Sequence, residues 1–134
     1  MRIAALAVLC LAFIGCKKSP QPTVPRIPDS NIGAGGGTFE TPEAVMFHTV
    51  YKYSGHAGQA LAFYAPEMEK RGATRSGEGF ADDNVVHTGG IGKDGSASPK
   101  DPTRPGVFLY VMETPEATLI DVWENVPRAG SGQF

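Results

Sequence analysis

Val45-Met46-Phe47-His48-Thr49-Val50-Tyr51-Lys52-Tyr53 is dense in β-branched and aromatic residues, the composition of a strand. Alternation places Val45, Phe47, Thr49, Tyr51 and Tyr53 on one face and Met46, His48, Val50 and Lys52 on the other. The pattern then changes period. Ala57, Leu61, Tyr64 and Met68 recur at spacings of three and four, which predicts a helix over roughly His56 to Arg71 with Ser54 as its N-cap. Lys70-Arg71 suits the negative end of the helix dipole, and Gly72 suits the left-handed position beyond it. Pro66 lacks an N–H and crowds the preceding turn, so a kink or restart is expected there.

Downstream the chain reads as strands. Phe80-Ala81 and Val85-Val86-His87-Thr88 flank Asp82-Asp83-Asn84 and form one interrupted strand or two short ones about a turn. Val107 to Met112 is apolar on both faces, as in a strand covered on both sides. Thr118 to Val126 alternates, with Ile120 and Val122 on one face, and Pro127 ends it. The sum is a single α+β domain, β-α-β-β-β, with a mostly antiparallel sheet and one covering helix over residues 38–127. Within it, 89–106 is rich in Gly, Ser, Pro and charge and reads as a mobile loop. Residues 128–134 read as a flexible tail.

Upstream of the domain, Pro20, Pro22, Pro25 and Pro28 followed by Gly33 and Gly35-Gly36-Gly37 read as a Pro/Gly-rich tether over 16–37. The first fifteen residues have the layout of a signal peptide: Arg2, an apolar run from Ile3 to Ile14 that is too short to span a bilayer, and Gly15. Phe13-Ile14-Gly15-Cys16 resembles the lipobox of bacterial lipoproteins, with Phe13 where Leu is usual. The resemblance implies cleavage before Cys16, a diacylglycerol thioether on its sulfur and acylation of its amine. It also implies a cell-envelope location. Lys17 stands where an inner-membrane protein of this class tends to carry Asp, so the outer membrane, periplasmic face, is expected. Lys17 and Lys18 would each add about 1 kcal/mol of attraction to anionic headgroups. The helix with Phe63-Tyr64, Met68 and Gly72 followed by strands loosely resembles small lipid-anchored periplasmic domains of unassigned function.

Two cysteines occur, Cys10 in the apolar run and Cys16. With the first removed and the second lipidated, disulfides, thiolate zinc and thiol catalysis are excluded. From Thr38 to Pro127 there are 13 acidic and 7 basic residues, a net of −6, which argues against nucleic acid.

Chemistry-bearing patterns are sparse. His48, His56 and His87 are the weak candidates for metal ligands, without the spacing of a helical metal motif. Asp82-Asp83-Asn84 reads as a turn rather than a calcium loop. Gly89 to Asp94 lacks the Ser/Thr and the helix of a phosphate loop. Ser96, Ser98 and Ser131 lack a nucleophile-elbow spacing. Glu67 and Glu69 read as a solvated helix face. No catalytic set and no cofactor site is therefore expected. Leu119 and Trp123 point to the sheet face opposite the helix, together with Met46 and His48. One helix cannot cover both faces, so this second face is the candidate partner face, to be covered by the long loop, a second copy or another protein. The function expected is a lipid-anchored envelope protein with a non-enzymatic binding or structural role, through an envelope protein partner. The alternative is a small-molecule or metal carrier.

Overall fold

The computed structural model describes residues 19–88 and 96–128. Cys16, the apolar run, the Gly89–Asp94 segment and Ser131 lie outside the described residues. The described chain holds nine strands and one helix: β1 (Ser30–Ile32), β2 (Gly37–Glu40), β3 (Ala44–Tyr53), α1 (Ala57–Lys70), β4 (Thr74–Ser76), β5 (Gly79–Ala81), β6 (Val85–Thr88), β7 (Ser96–Pro99), β8 (Gly106–Glu113) and β9 (Thr118–Pro127). The main sheet runs β1–β3–β9–β8–β5–β4, with β2 also paired to β3, and every pairing is antiparallel. β6 and β7 form a separate antiparallel ribbon.

The α+β class holds. The five-element outline is coarser than the chain, which adds β1, β2, β4 and β7 and splits Phe80–Thr88 between two sheets. The alternation of β3 and β9 behaves as expected. Tyr51, Tyr53, Ile120 and Val122 pack against Leu61, Tyr64 and Met68 of α1, and Met46 and Trp123 share the opposite face.

α1 is capped by His56 rather than Ser54, and the His56 N–H donates to Gln59 Oε1 at 2.8 Å. Ser54 instead donates to the Asp29 carbonyl. At the other end Gly72 takes φ +77°, its N–H reaches Glu69 O, and Ala73 N–H reaches Met68 O. That pair of bonds is a Schellman closure. The helix does not restart at Pro66, which lies on its exposed side.

The tether reading requires correction. Val24 and Ile27 are buried with the core of α1 and the sheet, and β1 and β2 pair along the edge of β3. Apolar residues spaced three apart among prolines gave too little pattern to mark this segment as core. Its backbone is also held by polar groups. Thr23 and Val24 N–H donate to Glu124 Oε1 at 2.8 and 3.1 Å, and Ile27 N–H donates to the Tyr64 hydroxyl at 3.1 Å. Burial pushes the Tyr64 phenol up to about 12, so it remains an intact hydroxyl. Folded structure thus begins near Thr23, well before Phe39.

The loop reading of 89–106 is corrected over its second part. Ser96–Pro99 is a strand. Residues 100–106 are pinned by two buried asparagines: Asn84 Nδ2 donates to the carbonyls of Asp101, Arg104 and Pro105, and Asn125 Nδ2 donates to those of Pro102 and Arg104. Asp82 shapes the turn before β6 by accepting from Asn84, Val85 and Val107 N–H. At the C-terminal end, Arg128 is tied by its N–H to the Glu43 carbonyl, and the rest of the expected tail lies outside the described residues. No helix among the described residues is long and apolar enough to cross a membrane.

Candidate functional site

The sheet face opposite α1 is covered over half its length. Val85 of β6 and Ala97 of β7 pack on Met46, Trp123 and Phe108, so the ribbon closes the end of the sheet where those residues lie. The other half is an open groove of about 650 Å³. Register explains its floor. His48, Trp123 and Phe108 share one row across β3, β9 and β8, and Val50, Asp121 and Tyr110 share the next row on this face. Beyond them come Leu119 and Met112. One rim is the segment Ala34–Gly37 and Phe39, and Ser96 of β7 stands at the ribbon side.

That rim depends on glycine. A Cβ at Gly36 would stand 2.7 Å from the His48 carbonyl, and Gly35 takes φ +99°, so the backbone approaches β3 as a side-chain-bearing residue could not. Phe39, paired with Met46, projects from the rim and is 62% exposed, one of the largest apolar surfaces on the described chain.

One polar pair is set into the floor. His48 Nε2 is hydrogen-bonded to Asp121 Oδ1, with both side chains nearly buried. The His48 ring lies flat on the Trp123 indole, with centroids 3.6 Å apart and planes 7° apart. His87, from the ribbon, stacks on Phe108 at 4.5 Å and meets Trp123 edge-on at 6.1 Å. Burial holds the His87 imidazole below its usual range. The Asp121 carboxylate pulls in the opposite direction, and His48 adds to the lowering. Two buried ring nitrogens, His87 Nε2 and Trp123 Nε1, have no hydrogen-bond partner among the described residues.

The structure therefore brings together four residues singled out from sequence, Met46, His48, His87 and Trp123, with Leu119 further along the same face. His56 stands apart. It caps α1, is exposed, and bonds through Nδ1 to Glu113 Oε1 at 2.8 Å. Glu113 is five residues along β8 from Phe108, about 17 Å at strand rise. A site built from all three histidines is thus not assembled. Among the described residues no group of three or more His, Cys, Asp or Glu side chains is arranged to hold a metal.

Asp121 was not singled out from sequence. Its signal was available: a charged residue at the centre of an apolar alternating strand, on the face of Leu119 and Trp123. Glu124 was missed in the same way. It is buried on the helix side, where Arg71 Nη1 lies 3.4 Å from its carboxylate. Arg71 also binds Glu67 at 2.9 Å, so Glu67 is part of this network rather than a purely solvated residue. A smaller cavity of about 350 Å³ adjoins it, lined by Thr23, Arg71, Asp82 and Glu124. The carboxylates there are already committed, Glu124 to the N-terminal segment and Asp82 to the turn, so the larger groove is the better candidate. No family model, curated protein or solved structure matches this chain.

Proposed function

We propose that this chain is a lipid-anchored envelope protein, attached through Cys16, whose domain has a binding rather than a catalytic role and holds a small apolar molecule in the groove over its second sheet face. The observation that carries the reading is the half-covered face itself. A groove of about 650 Å³ falls in the range of small-molecule sites. Its lining has their usual character, apolar and aromatic walls with a few fixed polar groups. Val50, Met112, Leu119 and Phe39 supply the apolar surface, and His48 and Asp121 are the polar pair. His48 is held by its stack on Trp123 and its bond to Asp121, which favours a rigid binding floor. Of the two roles expected from sequence, the small-molecule carrier gains support over the protein docking platform, because the ribbon turns a flat face into a concavity.

The experiment is ligand retention. The lipid-free mature chain is incubated with an organic extract of cell envelopes, passed through gel filtration and analysed by mass spectrometry, beside a Leu119→Arg variant. Retention of a small molecule by the wild type and not by the variant is expected. No retained molecule, or equal retention by the variant, counts against the groove. The anchor is tested separately: a lipid mass increment and membrane partitioning should both disappear in Cys16→Ser.

A further inference from the structure

The groove also limits the chemistry of what it can hold, and this inference rests on the binding role proposed above. We infer that the ligand is an amphiphilic amine, an apolar body bearing one primary or secondary ammonium group, whose N–H donates to the second carboxylate oxygen of Asp121.

Asp121 sits on β9 with β3 and β8 on its two sides, on the face opposite α1, and is a wall of the groove. Its side chain is 8% exposed. One oxygen is bonded to His48 Nε2. The other has no partner among the described residues, yet it is not one of the two unpaired atoms sealed from solvent, His87 Nε2 and Trp123 Nε1. It therefore keeps accessible surface, and the groove is the space that opens onto it. The other carboxylates set into this fold are fully used. Glu124, on the other face of the same strand, takes Thr23 and Val24 N–H on one oxygen and the Thr23 hydroxyl and Arg71 on the other. Asp82 divides its two oxygens among Asn84, Val85 and Val107 N–H. A carboxylate can only accept, and one that is nearly buried with an oxygen left over calls for a donor.

Charge selects the donor. The groove has no lysine or arginine among its lining residues, and its one carboxylate is Asp121. Lys52, on the same face of β3 opposite Leu119, is exposed and is not a wall. A carboxylate or phosphate ligand would enter beside a like charge with no cation in the walls to receive it. An alcohol would supply the hydrogen bond without the countercharge. An ammonium supplies both, and a hydrogen bond between charged groups is about twice as strong as a neutral one. Its remaining N–H groups face the open side of the groove, where water takes them, while the apolar body lies against Val50, Met112 and Leu119.

Four probes built on one naphthalene body test this on the lipid-free mature chain: 2-(2-naphthyl)ethylamine, 2-(2-naphthyl)ethanol, 2-naphthylacetate and the N-trimethyl derivative of the amine. Titration calorimetry is run at about pH 8, where an alkyl amine is still protonated. The amine should bind about fivefold or more tighter than the alcohol, and the carboxylate should bind weakest. The trimethyl derivative keeps the charge and lacks any N–H, so it should bind more weakly than the amine. Asp121→Asn, which keeps an acceptor for His48 and removes the charge, should bring the amine-to-alcohol ratio to about one. The probe series on the wild type needs no variant, so it decides the matter even if Asp121→Asn does not fold. Equal binding of amine and alcohol, a ratio that survives Asp121→Asn, a trimethyl derivative that binds as well as the amine, or preference for the carboxylate overturns the inference while leaving the groove as a binding site. Failure of all four probes to bind removes the groove reading itself.

Discussion

His48 and Trp123 are stacked face to face across β3 and β9, 3.6 Å between centroids, and the same histidine holds Asp121 through Nε2. Removing the imidazole therefore costs twice. His48→Ala opens a void against the indole and leaves a nearly buried carboxylate without its partner. A loss of about 2–4 kcal/mol is expected, toward the lower end of what breaking a buried pair costs. Urea denaturation followed by Trp123 fluorescence measures it. Asp121→Asn, which keeps an acceptor for His48, should cost clearly less, and equal losses would show that the pair is not the reason.

His87 predicts a pH dependence with a defined sign. Its folded-state affinity for protons is lowered by burial, against an ordinary value near 6.5 in the unfolded chain. Below 6.5 the unfolded state binds more protons than the folded one, so stability decreases as the pH is lowered. The contribution is whole above pH 6.5 and is lost as the pH drops through the folded-state value. Urea midpoints measured from pH 7.5 down to pH 5 should decline, and part of that decline should vanish in His87→Phe, which preserves stacking on Phe108. An identical decline in the variant would remove His87 as its source.

Asn84 holds residues 100–106 with a side chain that has no exposed surface to spare. Its Nδ2 serves three carbonyls and its Oδ1 accepts from Asp101 N–H at 2.9 Å. Asn84→Ala is expected to cost about 2–3 kcal/mol. It should also make the Lys100–Arg104 stretch a preferred site for limited trypsin digestion. Unchanged stability together with an unchanged digestion pattern would show that the loop is held by other means.

The N-terminal segment supplies a fourth prediction. Ile27 is 3% exposed and its N–H binds the Tyr64 hydroxyl. Ile27→Ala should destabilise by about 2–4 kcal/mol. Deletion through Pro28 should cost more, since Glu124 then also loses two N–H donors. A deletion variant that melts like the parent would place the segment outside the cooperative unit.

Much of the fold was legible because period carries it. β3, α1, β8 and β9 all follow from alternation or a three-to-four repeat, and the two faces of the sheet follow from which residues alternate together. What escaped notice was set by partners distant in sequence. Val24 and Ile27 look like linker residues until Glu124 and Tyr64, about a hundred and about forty positions away, receive their backbone. Ser96–Pro99 has no strand composition and is a strand only because Val85–Thr88 pairs with it. At the site, Trp123, His48 and Met46 could be placed on one face from alternation alone. The groove could not, because it arises from how far the ribbon reaches along that face and from the approach of Gly36 to β3.

If the chain is anchored through Cys16 as proposed, the packed N-terminal segment shortens the reach of the domain. With Thr23 already bonded to Glu124, the chain between Cys16 and the domain is seven residues, about 25 Å at full extension, where a tether running to Gly37 would reach about 75 Å. On the proposed anchor the domain cannot range through the surrounding space. It rides within one protein diameter of the lipid headgroups, and its groove samples only what dissolves in, or passes close to, that surface.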